Sequence, residues 1–264
     1  MTLSQLAPRT PSAFAPASRG ALAKLALRPG LIFLHGHEQA SRLSHYFLAA
    51  PLARGETVLF LDAANCFDPY KVAKFARLRQ GFGGQARHGE CAPEEFLQRV
   101  RVSRAFTCFQ MAELVERTAG AARRFGARRV VLTGFPDIFD DEEIPATQAK
   151  AAFARTQPHF RRWSALRLRA LAFSDRAPKP SPLRKWLMGQ LSRWATAVYR
   201  LEEGPAGLVL REEKRSAPIV MLSLPAVARS AKAGEAKHLL VSQGSAQRLP
   251  PLGATGRSPW PEHK

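Results

Sequence analysis

Short apolar segments that alternate with helical patterns constrain this chain more than any other feature of its sequence. Four of these segments are typical of buried strands: Leu31–His35, Thr57–Asp62, Arg129–Thr133 and Leu168–Ser174. Helical periodicity fills the stretches between them, most clearly over Cys108–Phe125. Strands that alternate with helices predict an α/β fold with a mainly parallel sheet flanked by helices.

The pattern changes after the last helix. Ala195–Leu201, Gly207–Glu212 and Ile219–Leu224 are strand-like, and the short glycine- and proline-containing turns between them favour antiparallel pairing. We therefore predict that the parallel sheet carries an antiparallel C-terminal β-extension. Thr147–Ser164 is predicted to be helical, with an interruption near Pro158 because proline lacks the amide hydrogen that a helix interior needs.

The length and the composition define the domain organisation. A chain of 264 residues is long enough to bury a sizeable core. Residues 1–28 and 226–264 are rich in Ala, Pro, Ser and Gly without sustained apolar periodicity, which predicts flexible basic tails around a core domain of residues 29–225. The glycine-rich Gln80–Glu90 is predicted to be an inserted loop. No apolar run reaches the roughly 18 residues of a membrane span, so no membrane partner is expected.

Positive charge is concentrated in one part of the predicted core. The 40 Lys and Arg against 21 Asp and Glu give a formal net charge of +19. Arg155–Arg200 contains eleven basic residues and one acid, Asp175, and so carries +10 of that charge. This concentration indicates a polyanionic partner, most simply nucleic acid. The three cysteines form no CxxC pair, which indicates a reducing cytoplasm, with association to the nucleoid if the protein is bacterial.

Three segments, in this order along the chain, resemble the ATPase core of the RecA/RadA recombinase superfamily. Val58–Pro69 (VLFLDAANCFDP) resembles the family's apolar strand followed by D-[AT]-E-[GH] and F-x-P. Pro93–Thr107 resembles P-x-x-h-x-x-R-h-x-h-x-R-A, and Ala197–Pro218 resembles the C-terminal strands with their basic turn. The resemblance covers residues 29–225. It implies a RecA-like P-loop NTPase sheet and a role in DNA recombination, repair or damage tolerance.

The nucleotide-binding loop of that family is degenerate in this chain. A P-loop reads G-x-x-x-x-G-K-[ST], in which backbone amides and the lysine bind phosphates and the hydroxyl binds Mg²⁺. Gly36 supplies the first glycine here. Ser41, Arg42 and Leu43 stand at the positions of the second glycine, the lysine and the metal-binding hydroxyl.

The two catalytic carboxylates that the resemblance implies are also replaced. Ala64 stands where the family has the glutamate that orients the attacking water, and Thr133 stands at the Walker B aspartate. Neither side chain can act as a base or bind a metal ion strongly. The resemblance therefore implies a pseudo-ATPase with no catalytic residue, no metal and no cofactor. The alternative is a divergent DNA-dependent ATPase that uses Arg42 and Asp137 with ATP and Mg²⁺.

The basic loop after Leu168–Ser174 is the candidate DNA-binding site. In recombinases the loop at this place contacts single-stranded DNA, and the side chains of Arg176, Lys179, Arg184 and Lys185 can neutralise phosphates. The adjacent Trp186 is predicted to face the core. A further alternative is a protein-interaction module that regulates an active RecA-like recombinase or a polymerase.

Overall fold

The computed structural model describes residues 30–74, 93–204, 207–213 and 218–222. The predictions for the two tails, residues 1–28 and 226–264, and for the Gln80–Glu90 insertion lie outside the described residues. No helix in the described ranges is both long and apolar enough to cross a membrane.

The described strands form one mixed sheet of eight. In chain order they are β1 (Gly30–His35), β2 (Val58–Asp62), β3 (Val100–Arg104), β4 (Arg129–Thr133), β5 (Arg169–Phe173), β6 (Ala197–Gly204), β7 (Gly207–Glu212) and β8 (Pro218–Leu222). Their order across the sheet is β3-β2-β4-β5-β1-β6-β7-β8. The pairs among β1 to β6 are parallel, whereas β6 pairs with β7 and β7 with β8 in antiparallel fashion. The predicted mainly parallel sheet with an antiparallel extension is confirmed.

Helices cover both faces of this sheet. They are α1 (Ser44–Ala53), α2 (Pro93–Gln98), α3 (Cys108–Phe125), α4 (Ala146–Ala165) and α5 (Pro182–Trp194), and residues 69–74 are also helical. The helices α3, α4 and α5 bury apolar side chains against one face, and α1 and α2 do so against the other. Since side chains alternate along a strand, Val130 and Leu132 face the first group and Val131 faces the second.

Capping residues fix both ends of α3 and the start of α5. The Thr107 hydroxyl accepts a hydrogen bond from the Gln110 amide at the start of α3, and Gly126 ends that helix in the left-handed conformation with φ +63°. The Ser181 hydroxyl caps α5 by accepting from the Arg184 amide. The start of α5, and with it the orientation of Arg184, is thus determined by the sequence itself.

One helix prediction is wrong. The helix α4 continues through Pro158, where the sequence predicts an interruption. Pro158 is exposed, so the carbonyl group that it leaves without a helical partner lies at the solvent side of the helix. Phe153, Phe160 and Trp163 of the same helix are buried in the core. Burial of each such aromatic side chain contributes about 2 kcal/mol, which together outweighs the roughly 3 kcal/mol cost of an internal proline.

Candidate functional site

The segments that follow four parallel strands meet at one edge of the sheet. They are residues 36–43 after β1, residues 63–64 after β2, Gly134 after β4 and residues 174–176 after β5. Carboxyl ends of parallel strands form the usual ligand crevice of α/β sheets. A cleft of about 400 Å³ lies here, and Ala64, Gly134, Asp137, Asp175 and Arg184 are among its lining residues.

The loop after β1 begins at a position that only glycine fits. Gly36 has φ +103°, and a Cβ atom there would lie 2.9 Å from the carbonyl oxygen of Leu201. Further along the loop, the Gln39 amide donates to His37 Nδ1 at 3.1 Å and the Ala40 amide donates to the His37 carbonyl at 3.2 Å. Two backbone donors of this loop are therefore satisfied by His37.

The amide and the hydroxyl of Ser41 are also hydrogen-bonded within the protein. Its amide donates to Asp175 Oδ1 at 2.7 Å, and its buried hydroxyl accepts from the Gly134 amide at 3.1 Å. The Ser41 amide, which the family resemblance would assign to phosphate contact, is thus bound to a carboxylate of the same chain. A phosphate group does not fit at this amide while Asp175 remains there.

The neighbours of Ser41 point in different directions. Leu43 is buried in the core against the α1 face of the sheet, so it offers neither a hydroxyl nor a surface to a ligand. Arg42 is exposed. Burial raises the pKa of Asp175, and the hydrogen bond from Ser41 and the charges of Arg184 and Arg42 partly offset this rise. Arg42 therefore acts electrostatically on Asp175, inside the protein's own network.

The two positions predicted to have lost catalytic carboxylates lie side by side. Thr133 ends β4 and is the register partner of Asp62 at the end of β2. The Thr133 hydroxyl donates to Asp62 Oδ1 at 2.7 Å, and the amides of Cys66 and Phe67 also donate to the buried Asp62 carboxylate. Ala64 follows in the same turn, whose backbone passes so close to Gly134 that a Cβ there would lie 2.8 Å from the Ala64 nitrogen.

Asp62 is a site residue that sequence reasoning missed. It holds the turn after β2 through its two amide contacts and β4 through Thr133. A carboxylate at the last position of a buried strand was the available signal, because such a charge needs hydrogen-bond donors around it.

Asp137 forms the second polar centre of the cleft. Arg184 Nη2 lies 2.8 Å from Asp137 Oδ1, the Ser174 hydroxyl donates to the same oxygen, and the Asp175 amide donates to Oδ2 at 2.8 Å. Burial raises the pKa of Asp137 to about 6, against the opposing effects of Arg184, Ser174 and the Asp175 amide. Both oxygens of this carboxylate therefore accept hydrogen bonds from groups of the same chain.

The same contact changes the interpretation of Arg184. Only 12% of its side chain is exposed, and it donates both to Asp137 and to the Asp175 carbonyl oxygen. The prediction grouped Arg184 with the DNA-binding cations, whereas the structure places it inside the cleft in an ion pair. It therefore fixes α5 to the turn after β4.

The other three predicted DNA-binding cations are on the surface. Arg176, Lys179 and Lys185 are exposed, and among the described residues none of them forms an ion pair. The loop that carries the first two is anchored at both ends. The Arg176 amide donates to the His37 carbonyl at 2.9 Å, and the Ser181 hydroxyl donates to Asp140.

Trp186 departs from its prediction. It is 36% exposed and lies at the rim of the core, where its ring contacts Phe153 edge-on at a centroid distance of 6.1 Å. Lys150 Nζ lies over the same ring, 5.2 Å from its centroid. On α5 it lies about 100° around the helix axis from the buried Leu187, so the predicted core position of Trp186 is wrong.

Within the described part of the chain, no three His, Cys, Asp or Glu side chains group in a way that could hold a metal ion. The cleft is thus built from carboxylates paired with arginine and backbone donors. Comparison with known proteins adds nothing to this description: no protein-family model matches the chain, and no curated protein matches it either.

Proposed function

We propose that this chain is a RecA-like pseudo-ATPase that binds DNA through phosphate contacts and assists recombination, repair or damage tolerance. The DNA is proposed to be single-stranded. No nucleotide, metal ion or other cofactor takes part in this function.

One observation carries the proposal: the hydrogen bond between the Ser41 amide and the Asp175 carboxylate. A strand, a glycine-led loop and the start of a helix follow one another here as in a P-loop. In this loop the Ser41 amide, which the resemblance would assign to phosphate contact, is bound to an internal anion. Leu43 removes the metal-binding hydroxyl, which makes the productive binding of Mg²⁺–ATP chemically unfavourable.

The fold supports the RecA-like assignment. The strand β1, which leads into the loop, lies in the interior of the sheet between β5 and β6. The segment after β5 reaches the same edge as that loop, and it is the segment that the family resemblance assigns to DNA contact. A nucleotide-type loop and a basic loop are therefore neighbours, joined by the contact between Arg176 and His37.

DNA binding is supported by the exposed charges of Arg176, Lys179 and Lys185. Unpaired cations on an anchored loop can neutralise phosphates with little loss of conformational freedom in the backbone. Contacts of this kind depend weakly on sequence and strongly on salt.

A salt series on single-stranded DNA tests this function. Substituting Arg176, Lys179 and Lys185 by Ala should reduce the slope of log K against log salt by about 2, since each contact to a single strand contributes about 0.7. The matched control replaces Arg117, Arg123 and Arg155, which lie on α3 and α4, and should leave the slope unchanged. An absence of DNA binding at low salt would refute the proposal.

A turnover assay on the same preparation tests the pseudo-ATPase part separately. We expect no Mg²⁺-dependent ATP hydrolysis, with or without DNA. DNA-stimulated turnover would instead support the divergent ATPase that uses Arg42 and Asp137.

A protein-interaction role is a second candidate that one observation favours. Phe106 is 71% exposed and Phe109 is 44% exposed, both next to the edge strand β3. Two large apolar side chains together on a surface suit a protein partner, for which an active recombinase or a polymerase is the proposal. Replacing both by Ser should abolish capture of that partner from nuclease-treated extract and leave DNA binding intact.

A further inference from the structure

The outer surface of α5 carries an exposed aromatic ring between positive charges. An α-helix has 3.6 residues per turn, so Trp186, Gly189 and Arg193 lie on the same side of α5. Lys185 and Arg193 are exposed, and α5 contains no acidic residue. Neither cation forms an ion pair within the part of the chain that the structure describes. We call Lys185, Trp186, Gly189 and Arg193 the α5 face.

The ring of Trp186 is restrained by the fold but not covered by it. Its edge-on contact with Phe153 and the ammonium group of Lys150 over the ring both come from α4. Even so, 36% of the side chain is exposed, whereas Trp163 is 1% exposed in the core. A restrained ring loses little conformational freedom when another flat ring stacks on it. The exposed part of Trp186 is therefore preorganised for such a contact.

Gly189 leaves this ring accessible. Side chains in a helix lean towards its N-terminus, so a side chain at position 189 would extend over Trp186, three residues earlier. A Cβ atom at Gly189 would have no neighbour within 4 Å, and the φ of this residue is not in the left-handed region. Neither the backbone nor the packing requires glycine here, although glycine is unfavourable inside a helix. Access to Trp186 is a physical reason for it.

We propose that the α5 face binds single-stranded DNA by stacking a base on Trp186. The inference rests on the DNA binding proposed above and assigns the contact that favours unpaired bases. Bases of every kind stack on aromatic side chains, so the contact adds affinity without a strong sequence preference. Lys185 and Arg193 lie on either side of the ring along α5 and can neutralise the flanking phosphates. Lys185 also belongs to the proposed DNA-binding cations, which makes the α5 face continuous with them.

An abasic oligonucleotide separates stacking from phosphate contact. It carries the same phosphates as a thymidine 20-mer of equal length but has no bases. The unmodified protein should bind the thymidine strand about tenfold more tightly than the abasic strand, as measured by fluorescence anisotropy. W186A should bind both strands with the same affinity. It should leave the slope of log K against log salt unchanged, because stacking releases no counterions.

Gly189→Leu tests the same face without removing any packing. The added side chain enters open space and favours the helix, but it covers Trp186. This variant should bind the thymidine strand about tenfold more weakly than the unmodified protein and the abasic strand equally well. The matched control Gly120→Leu adds the same side chain at an exposed glycine of α3 that also has open space around it, and it should bind both strands as the unmodified protein does.

The two strands also separate failure of this site from failure of the DNA function. If the unmodified protein binds both strands equally, or if G189L and G120L bind the thymidine strand equally, the stacking site is overturned while phosphate binding stands. If neither strand binds at low salt, the proposed DNA function is refuted and the stacking site with it.

Discussion

Replacing Arg184 with Met should destabilise the protein strongly at pH 8 and only weakly near pH 4. Arg184 Nη2 lies 2.8 Å from Asp137 Oδ1, and the two side chains are 12% and 18% exposed. Unit charges about 4 Å apart at an effective dielectric constant near 20 attract each other by about 4 kcal/mol. The substitution leaves the carboxylate buried without its cation, which typically costs about 3–5 kcal/mol.

The pH dependence follows from the titration of Asp137. Burial raises its pKa from 3.8 in a model peptide to about 6 in the folded protein. The folded state therefore binds the proton more tightly, so the contribution of this group is fully present below pH 4 and declines by about 3 kcal/mol as the pH rises through 6. Without Arg184 the pKa of the folded state rises further and the decline is larger. Below pH 4 the carboxyl is neutral, and the cost of losing Arg184 is small.

Urea denaturation at pH 4, 6 and 8 measures this difference. The control is R193M, which removes an exposed arginine of the same helix and should change the free energy of unfolding by less than about 0.5 kcal/mol at each pH. A cost of R184M that is the same at all three pH values would refute the reasoning, because it would show that Asp137 is not the partner that matters. Comparison with D137N/R184M separates the charge effect from lost packing.

Three further predictions follow from the described contacts. Asp175→Ala should lower the free energy of unfolding by about 1.5 kcal/mol and accelerate hydrogen exchange at the Ser41 amide, and unchanged exchange would contradict the contact. Burial raises the pKa of Cys66 to about 12 and also raises that of the buried Cys108, so native protein in which Cys91, outside the described residues, is replaced by Ser should resist iodoacetamide at pH 8, as checked by mass spectrometry. Gly126→Ala should destabilise the protein by about 1 kcal/mol in thermal unfolding, whereas Gly120→Ala in the same helix should not, because only Gly126 has a positive φ.

The fold was predictable where local signals and periodicity agree. The bounds of α3 follow from a threonine N-cap, an apolar stripe and a terminal glycine, all readable in order along the chain. The exposed Pro158 shows the opposite case, because the core contacts that keep α4 helical come from its aromatic side chains packed against other elements. Helix propensity, which depends on the local sequence alone, contains no information about these tertiary contacts.

The sequence predicts at which edge of the sheet the candidate site residues lie, but not which of them contact each other. Parallel register brings Ala64 and Thr133 to one edge, as the order of strands implies. The contact between Ser41 and Asp175, by contrast, joins residues 134 apart in sequence, and Asp137 and Arg184 are 47 apart. The sequence places Arg184 among other basic residues and does not show its partner Asp137. It therefore predicts an exposed cation where the structure has a buried ion pair.

The side chains around the loop after β1 depend on one another through charge. Three carboxylates, Asp62, Asp137 and Asp175, surround this edge of the sheet, and each interacts with an arginine: Arg104 at 3.9 Å, Arg184 at 2.8 Å, and Arg42 through its effect on the pKa of Asp175. A bound Mg²⁺–ATP would add negative phosphates to a cluster whose cations are already matched one to one. The variant R42K/L43T, which brings the loop closer to the P-loop pattern, should therefore not gain nucleotide binding, because the Ser41 amide would still donate to Asp175.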